Sequence, residues 1–219
     1  TNRTNPLDVP VLAGPTNVPV YIADNEFPAG VMDPSFDPGE GAGGLVRTVA
    51  AQADGKVLIG GAFTSVAGLV RNHVARLHPD GALDLDFNPG LGANAFVAAI
   101  DVMTNGRVVI GGAFTNVSGY SVNHIARFMP TGEIDTNFSR LQGFNTGLNA
   151  LALQPDEKVL VGGGFNLPSR GVARLHKNGV VDPSLDSGAG TDGAVLAVRL
   201  ETNGAVLVAG NFATLDGFV

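Results

Sequence analysis

The chain has no cysteine and no tryptophan, and only 2 Tyr and 3 Met among its 219 residues. Without thiols, disulfide scaffolds, Cys-ligated zinc and thiol catalysis are excluded, although the compartment stays open. Long apolar runs are also missing. No window approaches the roughly eighteen consecutive apolar residues that a bilayer-spanning helix needs. Charge is sparse, at 15% Asp, Glu, Lys and Arg, and the formal net charge is −7. Nothing in that balance favours a nucleic-acid backbone or membrane insertion, so neither is expected as a partner. The chain opens on Thr1 with no basic stretch followed by an apolar core, and it is read as a piece of a longer product.

What is abundant is glycine, 31 residues, beside 13 prolines and 44% hydrophobic residues. Many short apolar runs broken by Gly and Pro point to strands and turns rather than disorder. The length suits one large all-β domain or two small ones.

The runs repeat. The phrases "VLIGGAF", "VVIGGAF", "VLVGGGF" and "VLVAGNF" end on Phe63, Phe114, Phe165 and Phe212, spaced by 51, 51 and 47 residues. A second phrase follows three of them: "NHVARLHPDGALDLDF", "NHIARFMPTGEIDTNF" and "RGVARLHKNGVVDPSL". The third period is shorter because "FNLPSRG" stands where the first unit has "FTSVAGLVRNH". Each unit resolves into four short strands. The first alternates, with Val49/Ala51, Ile100/Val102, Leu151/Leu153 and Val198/Leu200 on one face. A turn at 54–55, 105–106, 156–157 or 203–204 follows, and its Asp-Gly or Asn-Gly in three units predicts a type I′ hairpin. The second strand is a continuous apolar run, as in a strand covered on both faces. The third carries "VARL", and a second tight turn leads to the fourth, "LDLDF". Four antiparallel strands per unit of this size predict an all-β propeller built of blades. No sustained helical period supports a helical solenoid, and a parallel β-helix needs much shorter coils.

"VLIGGAFTSVAG…NHVARLHPDGALDLDFNPG" resembles the delta-60 repeat, a bacterial propeller-type repeat of large secreted or surface-associated proteins. The resemblance covers about 30–219 through three recurring blocks, GG-x-F, ARL and LD-x-x-F. It is distantly kelch-like in its glycine pair, but the tryptophan of kelch blades is absent. The resemblance implies a propeller and an exported bacterial parent protein, and no particular activity.

The expected organisation is an extended linker over 1–17 and a propeller over 18–219. Within it come a half blade (18–45), blades at 46–95, 96–146 and 147–193, and a second half blade (194–219). Either the two halves seal a four-bladed ring or the chain is an open arc of a larger propeller, in which case further blades of the same parent chain are its neighbours.

Recurrence separates frame from site. The pairs Gly60-Gly61, Gly111-Gly112 and Gly162-Gly163 recur with Phe63, Phe114 and Phe165. A ligand seldom needs one contact in every unit, so the pairs are read as bulges or close backbone approaches. Arg76, Arg127 and Arg174 recur in strand three, and Asp33, Asp84, Asp135 and Asp182 in strand four, with Phe87 and Phe138 just beyond. A buried Arg–Asp network is expected, with Arg76 on Asp84 or on an equivalent aspartate of a neighbouring blade. "GAGTDG" at 188–193 fits a dinucleotide fingerprint in letters only, because it leads into a strand and not a helix. His73 and His124 are equivalent positions without a third ligand, and no G-x-S-x-G elbow exists.

In such a blade the 2–3 and 4–1 loops share one rim and vary most, so any binding is expected there. Candidate contacts are Arg71, Asn116, Tyr120, Asn123, Arg140, Phe144 and Asn145, with Asp37, Glu40, Asp186 and Asp192 as a weak calcium possibility. No other cofactor is expected. The function read from these features is a non-enzymatic structural or protein-interaction scaffold in an extracellular or cell-surface bacterial protein. One alternative is a glycan-binding module on the long-loop rim. The other is a hydrolase or lyase using an acidic loop cluster, for which no carboxylate pair across a cleft can be named.

Overall fold

The computed structural model describes residues 35–138, 144–185 and 187–218. The expected linker, most of the N-terminal half blade and Asp33 lie outside them. The chain divides into two units, Thr1–Phe36 and Asp37–Val219, and the following concerns the second.

Among the described residues every regular element is a strand. The first blade holds β1 (Ala42–Ala51), β2 (Val57–Val66), β3 (Leu69–Val70) and β4 (Val74–Leu77). The second holds β5 (Val97–Val102), β6 (Val108–Gly112), β7 (Asn116–Val117), β8 (Tyr120–Ser121) and β9 (Ile125–Phe128). The third has β10 (Leu148–Leu153), β11 (Val159–Gly163) and β12 (Val172–Leu175), and the fourth β13 (Ala194–Leu200) and β14 (Val206–Asn211). In each complete blade the apolar run lies between the other two strands, as β1-β2-β4, β5-β6-β9 and β10-β11-β12, all antiparallel. β1 begins at Ala42, ahead of the expected boundary, because Ala42 pairs with Val66 and so extends the sheet along the β2–β3 hairpin.

The fourth strand is shorter than its alternation predicts. It is a single bridge per blade, Leu77↔Leu83, Phe128↔Ile134 and Leu175↔Val181. The repeated aspartate ends it. Oδ1 of Asp84, Asp135 and Asp182 accepts the amide two residues on, from Asp86, Asn137 and Ser184, at 2.9–3.0 Å. This side-chain turn replaces a ladder bond and folds the chain back, so that Phe87 and Phe138 point into the core.

The 1–2 turns are not type I′. Gly55 and Gly106 donate to the carbonyls of Gln52 and Met103, and only the third loop residue has positive φ. Gln52 and Met103 in turn donate to Lys56 and Arg107. This is the three-residue loop of a type I turn plus a left-handed residue, and the 3–4 turns at Gly81, Gly132 and Gly179 repeat it. The Asp or Asn before the glycine serves a different purpose from the one expected: Oδ1 of Asp54, Asn105 and Asn203 accepts the amide two residues later. True two-residue I′ turns occur elsewhere, at Ala67-Gly68, Ser118-Gly119 and Asp216-Gly217, where both φ values are positive. They turn the expected 2–3 loops into short hairpins.

The core lies between blades. Leu58, Val74 and Phe87 of the first blade pack with Val97, Ile100, Ile110 and Phe128 of the second. Val109 and Phe138 of the second pack with Leu148, Val161 and Phe165 of the third. A single blade cannot bury its own apolar faces, and stacking supplies the cover.

Candidate functional site

The most elaborate polar arrangement is the repeated aspartate. Asp84 is fully buried, and its Oδ2 accepts Arg76 Nε at 2.7 Å and Lys56 Nζ at 3.0 Å. Asp135 takes Arg127 Nε at 2.9 Å and faces Arg107 at 3.4 Å, while Asp182 takes Arg174 at 2.8 Å and Lys158 at 3.1 Å. Burial by itself would raise the Asp84 carboxyl. Hydrogen bonds from Lys56, Arg76 and the Asp86 amide, with the charge of Arg76, outweigh it and hold the group at about 2. Asp182 is lowered as well, first by the hydroxyl and amide of Ser184. Two of the three arginines also stack on their own blade's phenylalanine, Arg76 over Phe87 at 4.9 Å and Arg127 over Phe138 at 4.7 Å. Arg76 reaches the Pro130 carbonyl, and Arg127 the Lys177 carbonyl, each in the 3–4 turn of the next blade. The cluster therefore ties strand three, strand four and the following blade together. Its carboxylates are at most 3% exposed. Lys56, Arg107 and Lys158 were missed in the sequence reading, although they recur directly before each "VLIGG"-type phrase.

The glycine pair has two separate duties. A Cβ on the second glycine would collide with the first strand's backbone: on Gly61 it would lie 2.0 Å from the Leu45 carbonyl oxygen, and on Gly112 2.2 Å from that of Phe96. Strand one bulges opposite this point in every blade, between Val46/Thr48, Val97/Ala99, Leu148/Ala150 and Val195/Ala197. The first glycine faces the next blade. Gly60 lies on Val97 and Ile100, Gly111 on Leu148 and Leu151, and Gly162 on Val195 and Val198. Gly163 is crowded by the Gly147 carbonyl in the same way as Gly61. Phe63, Phe114 and Phe165 are all buried beside the pairs.

His73 and His124 have positive φ, 67° and 63°, and the third blade places Gly171 (φ 76°) at the same spot. All three amides donate to the phenylalanine carbonyl of the repeat, from Phe63, Phe114 and Phe165. These are left-handed bulge positions, which histidine tolerates better than most residues. Burial pushes the His124 pKa down, against backbone groups of Gly112 and Ala113 that raise it.

On the long-loop rim the expected contacts fare unequally. Tyr120 is 43% exposed at the tip of the β7–β8 hairpin. Asn116 Oδ1 accepts the Gly119 amide and closes that hairpin, and Asn123 is half-buried. Arg71 donates Nη1 to the Val70 carbonyl. Asn145 is engaged with Asn166 through both side-chain atoms, and its equivalents Asn94 and Asp192 each accept two amides of the facing segment. Those two amides, from Thr214 and Ala213, lower the Asp192 pKa. Phe144, expected as a surface contact, is 3% exposed and packs edge-on against Phe165 at 4.9 Å. Its ring belongs to the core because a shortened 2–3 segment leaves Phe165 in need of cover. Arg140 and Asp186 lie outside the described residues. Among the described residues no three His, Cys, Asp or Glu side chains are grouped to hold a metal ion. Among the described residues no helix is long and apolar enough to cross a membrane.

The opposite rim carries a depression of about 690 Å³ between the 1–2 turns of the last three blades. Val102, Met103, Leu153, Pro155 and Leu200 line it, together with Glu157 and Glu201. Glu157 accepts from Asn105 Nδ2, and Glu201 pairs with Arg199 at 3.3 Å.

Comparison with protein families matches the domain of unknown function (DUF5122) beta-propeller over residues 52–87, 104–138 and 154–185. These stretches are the three repeats just described, from the 1–2 turn to D-x-x-F in two of them and D-P-S-L in the third. The chain belongs to this family, that of the delta-60 repeats. The delta-60 propeller matches no curated protein. Among solved structures, the WD40 β-propeller domain of Doa1 superposes with a TM-score of 0.50 at 16% identity, covering 74% of this chain and 47% of that one. The extracellular domain of a one-component system, BT4673, from B. thetaiotaomicron gives 0.49 at 15% identity, over 76% of this chain and 20% of that one. The chain spans less than half the length of either, and the likeness to Doa1 is one of fold.

Proposed function

We propose that this delta-60 propeller is a non-enzymatic module of a larger exported bacterial protein, working as a structural or protein-interaction scaffold. One observation carries the reading: the ionisable groups that recur are consumed inside the frame. Asp84, Asp135 and Asp182 each face two cations, of which Arg76 and Arg127 extend to the next blade and Arg174 to Ser184. A catalytic carboxylate needs a proton to exchange, whereas each of these is at most 3% exposed and is held between two cations. The exported location is what the delta-60 resemblance implies, and cell fractionation tests it directly.

The glycan-binding reading keeps one favourable observation, the exposed Tyr120 on a hairpin held rigid by Asn116. A glycan array on the purified chain separates the two readings. The scaffold reading expects no binding at micromolar glycan. Binding that is lost in Tyr120→Ala would replace it. A calcium titration followed by melting temperature is expected to give no shift, because Asp192 is already occupied by two amides.

A further inference from the structure

We infer that the outer face of β1, at Val46 and Val49, is a seat for one more blade of this same repeat, one with glycine at the first position of its pair. Three junctions inside the chain show what covers such a face. Gly60 rests on Val97 and Ile100, Gly111 on Leu148 and Leu151, and Gly162 on Val195 and Val198. Under that cover Val97, Leu148 and Val195 are at most 1% exposed. Val46 and Val49 occupy the repeat positions of Val195 and Val198 and are the same residue types, yet they are 38% and 60% exposed.

The seat discriminates. A Cβ on Gly162 would stand 2.7 Å from Val195 Cγ1 and 2.9 Å from Val198 Cγ1. Carbon atoms in contact settle at about 3.5–4.0 Å, so only glycine fits on a valine pair without a shift. The far end of the chain lacks that glycine. In "VLVAGNF" the position is Ala209, and beside it Leu207 is 53% exposed where Leu58, Val109 and Leu160 are fully buried. A second copy joined head to tail would press the Ala209 methyl onto Val46 and Val49. The occupant is therefore a further glycine-bearing repeat and not a second copy of this chain. The inference rests on blade geometry and is independent of the scaffold reading, since a glycan-binding propeller would carry the same seat.

The test makes the chain's own last blade competent. Sedimentation velocity over a concentration series is run on the wild type, Ala209→Gly, and Ala209→Gly with Val49→Lys, each checked for native circular dichroism. The wild type is expected to stay monomeric. Relief of an overpacked contact of about 1–3 kcal/mol corresponds to association about 5- to 150-fold tighter in Ala209→Gly. Val49→Lys should abolish it. Val49→Lys alone should leave the melting temperature unchanged. Three results would each overturn the inference. One is an Ala209→Gly variant that stays monomeric at every concentration. Another is a wild type that already self-associates in a Val49-dependent way. The third is a monomer destabilised by Val49→Lys, which would place the cover of this face within the chain itself.

Discussion

The second blade and the fourth are written in nearly the same letters and live in different surroundings. Val109 in β6 is fully buried, and its counterpart Leu207 in β14 is 53% exposed. Arg127 in β9 holds Asp135 and reaches the next blade, whereas among the described residues the fourth blade is β13 and β14 alone. A repeat phrase thus specifies what a strand can bury, and the neighbour decides whether it does.

The sharpest way to break this contrast is to empty the charge cluster of the second blade. Asp135→Ala leaves Arg127, itself 6% exposed, without its carboxylate. Removing one partner of a buried ion pair typically costs about 3–5 kcal/mol, a large part of a domain's total of about 5–15 kcal/mol. Urea unfolding of the variant should show that loss. A loss under about 1 kcal/mol would show the cluster to be hydrated and peripheral. No residue of β13 or β14 holds the equivalent position, so no variant there should match it.

Next in size is a matched pair of truncations. Leu58→Ala removes a fully buried side chain from the junction of the first two blades and should cost about 2–5 kcal/mol. Leu207→Ala, at the same repeat position, should stay within about 0.5 kcal/mol. Equal effects would mean that β14 is covered as thoroughly as β2.

How much of this was legible? The 51-residue period, the propeller and the crowding at the glycine pair all follow from spacing, because close backbone approach is a demand that only one residue type meets. The turn type was not legible, since Asx-Gly suits both a type I′ hairpin and a three-residue loop in which Asp54 or Asn105 caps the next amide. Ala67-Gly68 and Ser118-Gly119, the true I′ turns, lack the Asn or Asp that advertises one. The role of His73 and His124 emerges only beside Gly171, whose positive φ shows the position to be a backbone demand. On the rim, sequence variation correctly marks the hairpins but cannot tell Tyr120, which is outward, from Phe144, which is inward. That distinction depends on the length of the segment after Phe165.

Acid should act on the interior cluster by a route whose sign is fixed. Asp84 titrates at about 2 in the folded chain against an ordinary 3.8. A depressed carboxyl contributes stability that is fully present above the unfolded value and lost as pH falls through the folded one. The urea midpoint should therefore lose this contribution between about pH 4 and pH 2. In Asp84→Asn that part of the acid limb should flatten. An unchanged acid limb in the variant would assign the loss to other carboxylates, such as Asp182 and Asp192, which are lowered too.

The smallest effect concerns a position where the third blade departs from the others. The left-handed residue of the 1–2 turn is Gly55, Gly106 and Gly204 in three blades, and Glu157 (φ 65°) in the remaining one. A left-handed L-residue costs about 1–2 kcal/mol, while glycine gives part of that back through its freer unfolded chain, worth about 0.4–1 kcal/mol. Glu157→Gly should consequently stabilise the chain by about 0.5–1 kcal/mol, less whatever the Asn105–Glu157 hydrogen bond contributes. The reverse substitution, Gly106→Glu in the second blade, should destabilise by a similar amount. If Glu157→Gly destabilises instead, the side chain earns its place through Asn105 of the neighbouring blade. The turn would then be a blade-to-blade tie like those of Arg76 and Arg127, set at the depression that Leu153 and Leu200 also line.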